Sequence, residues 1–417
     1  MKRLLIFLFI IVFVFQMSVV GFCANKNVND DDEAQIPSTF TSIVAGGDDV
    51  SKLPVEINAK SAVLMDVATG QVLLQYNADV KLFPASVTKI MTMLLVAEAI
   101  DTGRITLADK VTCSQNAASK GGSQIWLEEG ESMTVDELLK ATAIGSANDA
   151  ATLLGEYISG SEEAFIALMN ARAKELNMNN TNFVNATGLD DTTDEHLTTA
   201  RDIAIMSTEL LKHKFITAYT TVWMDSLRNG ETELVNTTKL VRFYQGTTGL
   251  KTGTTAKAGC CVSASAERDN LHLVAVVMGS ENSNDRFNTA KALLNWGFTN
   301  YTLFTPEVDT KQYERVAVNS GRRDFAETLF PDIVPILIKK GQEEKVRVSV
   351  EICENVDAPV SEKQTLGTVK VTLDKELINE YKILSCTEVK KLTFFDGVLK
   401  IFNFISNGNT AYPFADT

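Results

Sequence analysis

The period at which apolar residues recur changes several times along this 417-residue chain, and the order of those changes limits the folds open to it. Residues 61–67 and 71–76 are short apolar runs joined by a turn containing Thr69-Gly70, the pattern of a hairpin. After Pro84 the period lengthens. Ile90, Met91, Leu94, Leu95 and Ala99 recur at helical spacing, which predicts a helix that ends near Gly103 and carries Ser86 in its first turn. Further helices are expected over 135–144, 149–158, 162–176 (capped by Ser161) and 200–212. Strand-like runs return at 260–266 and 271–279, and a helix follows near 286–296. A strand pair, a helical middle, more strands and a closing helix predict an α+β domain over 58–302. Its antiparallel sheet would be flanked by helices and carry an inserted helical lobe.

Beyond about residue 305 the helical period disappears. Short runs at 312–318, 333–339, 345–352, 367–373 and 381–386, separated by polar turns such as Lys340-Gly341-Gln342, predict a small all-β domain over 303–388. A last helix is expected over 389–407. Leu392, Phe394, Phe395, Val398, Leu399, Ile401, Phe402, Phe404 and Ile405 cover most of it, and Asp396, Lys400, Asn403 and Asn407 form one narrow polar stripe. An isolated helix so apolar would not stay in water, and at about 15 residues it is too short to span a bilayer. It is expected to lie on a membrane surface, with docking on the β domain as the alternative.

At the other end, Lys2 and Arg3 precede a 17-residue apolar run, which reads as a secretory signal over 1–24 and places the protein outside the cytoplasm, at the outer face of the cell membrane. An uncleaved anchor is the alternative; Phe22 leaves the cleavage site undecided, and its bulk argues against a lipid-modified Cys23. Residues 25–57 are acidic, with Gly46-Gly47 and Pro37 and no sustained period, and are expected to be a linker. The formal charge of −14 repels phosphate backbones, so nucleic acid is not an expected partner. Three histidines and six cysteines show no metal-ligand spacing, so neither a metal nor another cofactor is expected. His196, His213 and His272 are read as peripheral and structural, and the adjacent Cys260 and Cys261 as packing residues on opposite faces of a strand.

Three short motifs fall in order within 58–302: Ser86-Val87-Thr88-Lys89, then Ser146-Ala147-Asn148 60 positions on, then Lys251-Thr252-Gly253 105 positions further. A serine hydroxyl attacks only when a base takes its proton. On a helix, Lys89 lies one turn beyond Ser86 and can reach its Oγ. Lysine acts as a base only when uncharged, so it must be buried or sit beside a second cation, for which Lys251 is the candidate. An N-cap serine and a solvated lysine would be the bland reading of the first motif alone; the ordered set argues against it.

The set resembles the penicillin-recognising serine acyltransferases. Its surroundings narrow the resemblance to the low-molecular-mass D-alanyl-D-alanine carboxypeptidases of penicillin-binding protein 5 type: Pro84-Ala85 before the first motif, Gly121-Gly122-Ser123, Asp149-Ala150 after the second, Asn185-Ala186-Thr187-Gly188-Leu189, and Gly249-Leu250 and Thr254-Thr255 around the third. The resemblance implies that Ser86 is acylated by the penultimate D-Ala carbonyl of a peptidoglycan stem peptide, with Lys89 as base and Ser146 relaying the proton to the leaving amine. It implies that Asn148 binds the substrate amide, that Lys251 and Thr252 hold the terminal carboxylate, and that Gly253 lets the strand come close to the substrate. The N–H groups of Ser86 and Thr254 would form the oxyanion hole, and β-lactams would acylate the same serine as inhibitors. The family often carries the β-rich module and the terminal membrane-surface helix as well. Ala147, Thr254 and Thr187 depart from its commonest residues. The rival readings are a non-catalytic penicillin-binding cell-wall or sporulation scaffold and a β-lactamase. The latter would need a water-positioning glutamate, for which Glu175 is the only loose match.

Overall fold

The structure, a computed structural model, describes residues 45–46 and 53–407; the expected signal segment and most of the expected linker lie outside the described residues. The described residues divide into two compact units, one of 45–46, 53–305 and 335–344, the other of 306–334 and 345–407.

The first unit is built on a six-stranded sheet in the order Ala45–Gly46, Val72–Tyr76, Ser61–Asp66, Leu271–Ser280, Gly259–Arg268, Thr247–Thr255. All neighbours are antiparallel except the first pair. Both faces of the sheet are covered, so its strands read as near-continuous apolar runs and alternate residues feed two cores. Val63, Met65, Val274, Val276 and Met278 face the helical lobe. Ala62, Leu64, Leu273, Ala275 and Val277 pack with Phe287, Leu293 and Leu294 of the Ser283–Asn300 helix. Within the lobe, the Lys89–Asp101 helix is buried on nearly every side, which its all-round apolar sequence requires. The helices Val135–Ala143, Asn148–Ser159, Glu162–Glu175 and Ala200–Lys212 fall within two residues of their expected bounds, and Ser161 Oγ caps the third by accepting from Ala164 N–H.

Several features differ from the sequence reading. Ala45–Gly46 pairs with Leu74 and Gln75, and Ile57 is buried, so the expected linker already contributes to the first unit: backbone pairing needs no apolar side chains. The expected strand around 333–339 forms as Ile336–Lys339, yet it pairs with Tyr301–Phe304 of the first unit.

The second unit holds a six-stranded sheet in the order Val346–Ile352, Thr365–Leu373, Glu376–Ser385, Phe325–Leu329, Arg315–Asn319, Asn355–Asp357, around Val316, Val318, Ala326, Val360, Leu366 and Val389. The Phe325–Leu329 and Asn355–Asp357 strands were not expected, because both are too short and too exposed to show alternation. Val389 is buried and bridges Val360, so the terminal helix begins at Phe394 rather than near 389. Thr393 and Asp396 start it as a reciprocal cap: Thr393 N–H and Oγ1–H donate to Asp396 Oδ2, and Asp396 N–H donates to Thr393 Oγ1. Arg322 pairs with the same carboxylate at 3.0 Å. Phe394, Phe395, Val398, Leu399 and Phe402 remain between 49% and 82% exposed, which does not fit a helix docked on its own β sheet. Among the described residues, no helix is long and apolar enough to cross a membrane.

Candidate active site

Ser86 lies in a 3-10 turn, Ala85–Thr88, that runs into the Lys89–Asp101 helix, not in the first α-turn that was expected. The difference helps the chemistry, because residues three apart eclipse one another in a 3-10 turn. Lys89 Nζ accordingly stands 3.0 Å from Ser86 Oγ. The amine also donates to Asn148 Oδ1 at 2.5 Å and to Thr187 O at 2.9 Å. Two of its three neighbours are carbonyl oxygens, which can only accept. A neutral amine therefore spends both protons on them and turns its lone pair to the one neighbour that can donate, the Ser86 hydroxyl.

Lys89 is fully buried, and burial holds its pKa well below the ordinary lysine range; the Lys251 ammonium pushes it the same way and Asp149 opposes. Lys251 is equally buried, donates to Thr252 O at 3.0 Å, and is pulled down to about 7 by burial and then by the Arg286 guanidinium.

Asn148 begins its helix and is held from both ends. Its N–H donates to Ser123 O, and its Nδ2 donates to Gly121 O at 2.6 Å, so the Gly121-Gly122-Ser123 segment is fixed to the group that holds Lys89. The buried Asp149 carboxylate accepts from Ile125 and Leu127 N–H and extends that clamp. Ser146 is 4% exposed and bent into left-handed backbone at φ +63°, between two helices of the lobe. The described contacts of Lys89 are those to Ser86, Asn148 and Thr187, and Ser146 is not among them.

The third motif lies on Thr247–Thr255, the edge strand of the sheet. A Cβ on Gly253 would come within 2.7 Å of Pro84 O and 2.8 Å of Ser86 N. The glycine thus lets the strand lie against the nucleophile turn itself, a closer reason than the approach to substrate that the resemblance implied. Thr252 Oγ1 donates to Thr237 Oγ1, and the exposed Thr254 receives Arg286 Nη1 at 2.9 Å.

Arg286 is the residue the sequence reading missed. Its buried guanidinium binds Gly253 O, Thr254 Oγ1 and Cys261 O, bracing the edge strand from behind. Position alone could not reveal it, since the Ser283–Asn300 helix comes over 30 residues after the motif. His196 is not peripheral: it is fully buried behind the nucleophile turn. Cys260 and Cys261 are buried, as expected of packing residues. Thr187 meets Lys89 through its backbone carbonyl, so its departure from the family's frequent histidine leaves this contact untouched. Glu175 is paired with Arg172 at 3.1 Å and two-thirds exposed on the far end of its helix, which gives the β-lactamase reading no support.

Comparison with known proteins agrees with this geometry. Residues 48–282 match the family model described as D-alanyl-D-alanine carboxypeptidase, and residues 301–391 match that of the penicillin-binding protein 5 C-terminal domain. The chain is 42% identical to the D-alanyl-D-alanine carboxypeptidase DacF of Bacillus subtilis over 86% of its own length and 92% of the relative's. It is 33% identical to DacC of Escherichia coli over 82% and 87%. Among solved structures, penicillin binding protein 5 of Haemophilus influenzae superposes with a TM-score of 0.71 at 29% identity, covering 81% of this chain and 99% of that one. Penicillin-binding protein D2 of Listeria monocytogenes, solved in an ampicillin-bound form, gives 0.53 at 31% identity over 58% and 98%. With both models matched in order and the serine–lysine pair in place, this chain belongs to the D-alanyl-D-alanine carboxypeptidase family of low-molecular-mass penicillin-binding proteins.

Proposed function

We propose that this chain removes the terminal D-Ala from peptidoglycan pentapeptide stems through a Ser86 ester, and that β-lactams form the same ester. The observation that carries the reading is the Lys89 amine, buried among two carbonyl acceptors and 3.0 Å from Ser86 Oγ. The Ser86 proton passes to Lys89 as Oγ attacks the penultimate D-Ala carbonyl. The N–H groups of Ser86 and Thr254 hold the oxyanion; a methyl on Gly253, the residue just before Thr254, would be only 2.8 Å from Ser86 N. Lys251 and Thr252 take the terminal carboxylate, and Asn148 takes the substrate amide. As the C–N bond breaks, Ser146 gives its hydroxyl proton to the departing D-Ala amine and is reprotonated from Lys89, which leaves the lysine amine neutral again. Water then attacks the ester, giving its proton to Lys89, which returns it to Ser86 Oγ as the ester bond breaks and the shortened stem leaves. Among the described residues the edge strand Thr247–Thr255 has a neighbouring strand on one side only, and an extended peptide aligns along the other side as a further strand.

A peptide ending in D-Ala-D-Ala tests this. The wild-type chain should release free D-Ala and gain the mass of penicillin on Ser86, and Ser86→Ala should do neither. Penicillin labelling without D-Ala release would favour the scaffold reading, and labelling elsewhere would remove both.

The same proposal places the protein at the outer face of the cell membrane, with the Phe394–Asn407 helix lying on the lipid surface. The exposed Phe394, Phe395, Val398, Leu399 and Phe402 support it, as does a local excess of Lys390, Lys391 and Lys400 over Asp396. The chain from residue 25 onward should sediment with anionic phospholipid vesicles, less so at high salt, and a chain ending at Thr393 should stay in solution. Equal sedimentation of both rules the helix out.

A further inference from the structure

Behind the nucleophile turn, the two ring nitrogens of the fully buried His196 are committed in one direction each. Val184 N–H donates to Nδ1 at 3.0 Å, and a nitrogen that accepts carries no proton, so the neutral ring keeps its proton on Nε2. Nε2 stands 2.8 Å from Thr88 Oγ1, whose own proton goes to Ala85 O at 2.9 Å. Every bond in the series Val184, His196, Thr88, Ala85 therefore has a fixed sense. Burial pulls the His196 pKa down to about 4, which keeps the ring in this neutral form. Phe183 packs edge-on against the ring at 5.9 Å, and mutual backbone bonds between Leu82 and Thr198 fix the segment that carries it.

The last bond in the series is the informative one. Ala85 O and Ser86 N–H belong to one planar peptide group and point in opposite directions. Anchoring the carbonyl at the back thus aims the N–H at the front, where the oxyanion forms. Ala85 is held in left-handed backbone at φ +49°, a conformation that a non-glycine residue keeps only when its surroundings impose it.

We propose that His196 is a positioning residue for acylation: through Thr88 it holds the Ala85–Ser86 peptide so that the Ser86 N–H faces the oxyanion site and Oγ faces Lys89. The proposal rests on the acyl-enzyme reading above and is separable from it. Penicillin is used as the probe, with saturation kinetics dividing the binding constant from the first-order acylation rate. His196→Asn, which can accept from Val184 but cannot reach Thr88, should slow acylation on the order of 10-fold with the binding constant unchanged. Thr88→Val should slow it on the order of 10- to 100-fold, and adding His196→Asn to it should cost little more. His196→Gln, which restores a donor toward Thr88, and Thr88→Ser, which restores the hydroxyl, should each recover most of the rate. Wild-type acylation rates in His196→Asn, full multiplication of the two losses, or Thr88→Ser as slow as Thr88→Val would overturn the proposal. So would a loss that follows melting temperature equally in the Asn and Gln variants. A wild-type chain that takes no penicillin at all overturns the acyl-enzyme reading, and this proposal with it.

Discussion

Lys89→Met is expected to slow acylation of Ser86 by about 100- to 10,000-fold while leaving the chain folded, the usual range for loss of a general base. Methionine nearly matches the lysine side chain in length and flexibility, so the Lys89–Asp101 helix keeps its packing. Two opposing effects decide stability. Asn148 Oδ1 and Thr187 O each lose their donor, at about 1–3 kcal/mol for each oxygen left unsatisfied. Against this, a buried amine is no longer taken out of water. Folded Lys89 binds its proton more weakly than in the unfolded chain, so its burial costs stability below the unfolded pKa and the cost fades as pH rises. The methionine variant should lose that slope. In the wild-type chain, acylation should fall as pH drops through the lowered Lys89 pKa, because the amine then holds the proton it must accept. Gel-resolved labelling with fluorescent penicillin across pH, alongside thermal melts, measures both effects. A methionine variant that labels within a few-fold of wild type would remove Lys89 from the base role.

Gly188→Ala should be the most damaging single methyl group in the first unit. Its Cβ would fall 1.8 Å from Ala85 O and 2.8 Å from Thr88 Oγ1, with φ at +89°. Neither obstacle can rotate away: the first is backbone, and the second is held by Ala85 and His196. Left-handed strain adds about 1–2 kcal/mol and overpacking about 1–3 kcal/mol, so a destabilisation of several kcal/mol is expected. Acylation should be lost even in the fraction that stays folded, since the displaced atom is the carbonyl joined to Ser86 N–H. Chemical denaturation and penicillin labelling on the same sample separate the two losses. A variant with unchanged midpoint and labelling would mean that the Asn185–Leu189 turn yields freely, contrary to the bonds that Thr187 and Gly188 N–H donate to Asn185 Oδ1.

The sheet and the main helices of the first unit were legible because both cores are large and each imposes its own period. The serine–lysine pair was legible because an i, i+3 spacing brings side chains together in either helix type. What stayed hidden works through backbone or from a distance. Thr187 contributes a carbonyl that any residue would supply. Arg286 acts from a helix beyond two intervening strands, and His196 sits in a polar stretch with no period at all. In the second unit, strands of three to five residues with exposed alternate positions carry too little pattern to be read.

The terminal helix is not joined to its sheet by a loose hinge. The cap between Thr393 and Asp396, the Arg322 ion pair, and the Leu392 N–H bond to Ser320 O lock its first turn to the strand region around residue 320. Whatever takes up the row of phenylalanines therefore also sets the tilt of the whole β unit, as a keel fixes the attitude of a hull. Glycines inserted ahead of Thr393 would separate the helix from that lock and abolish the alignment, while leaving the row of phenylalanines as it is.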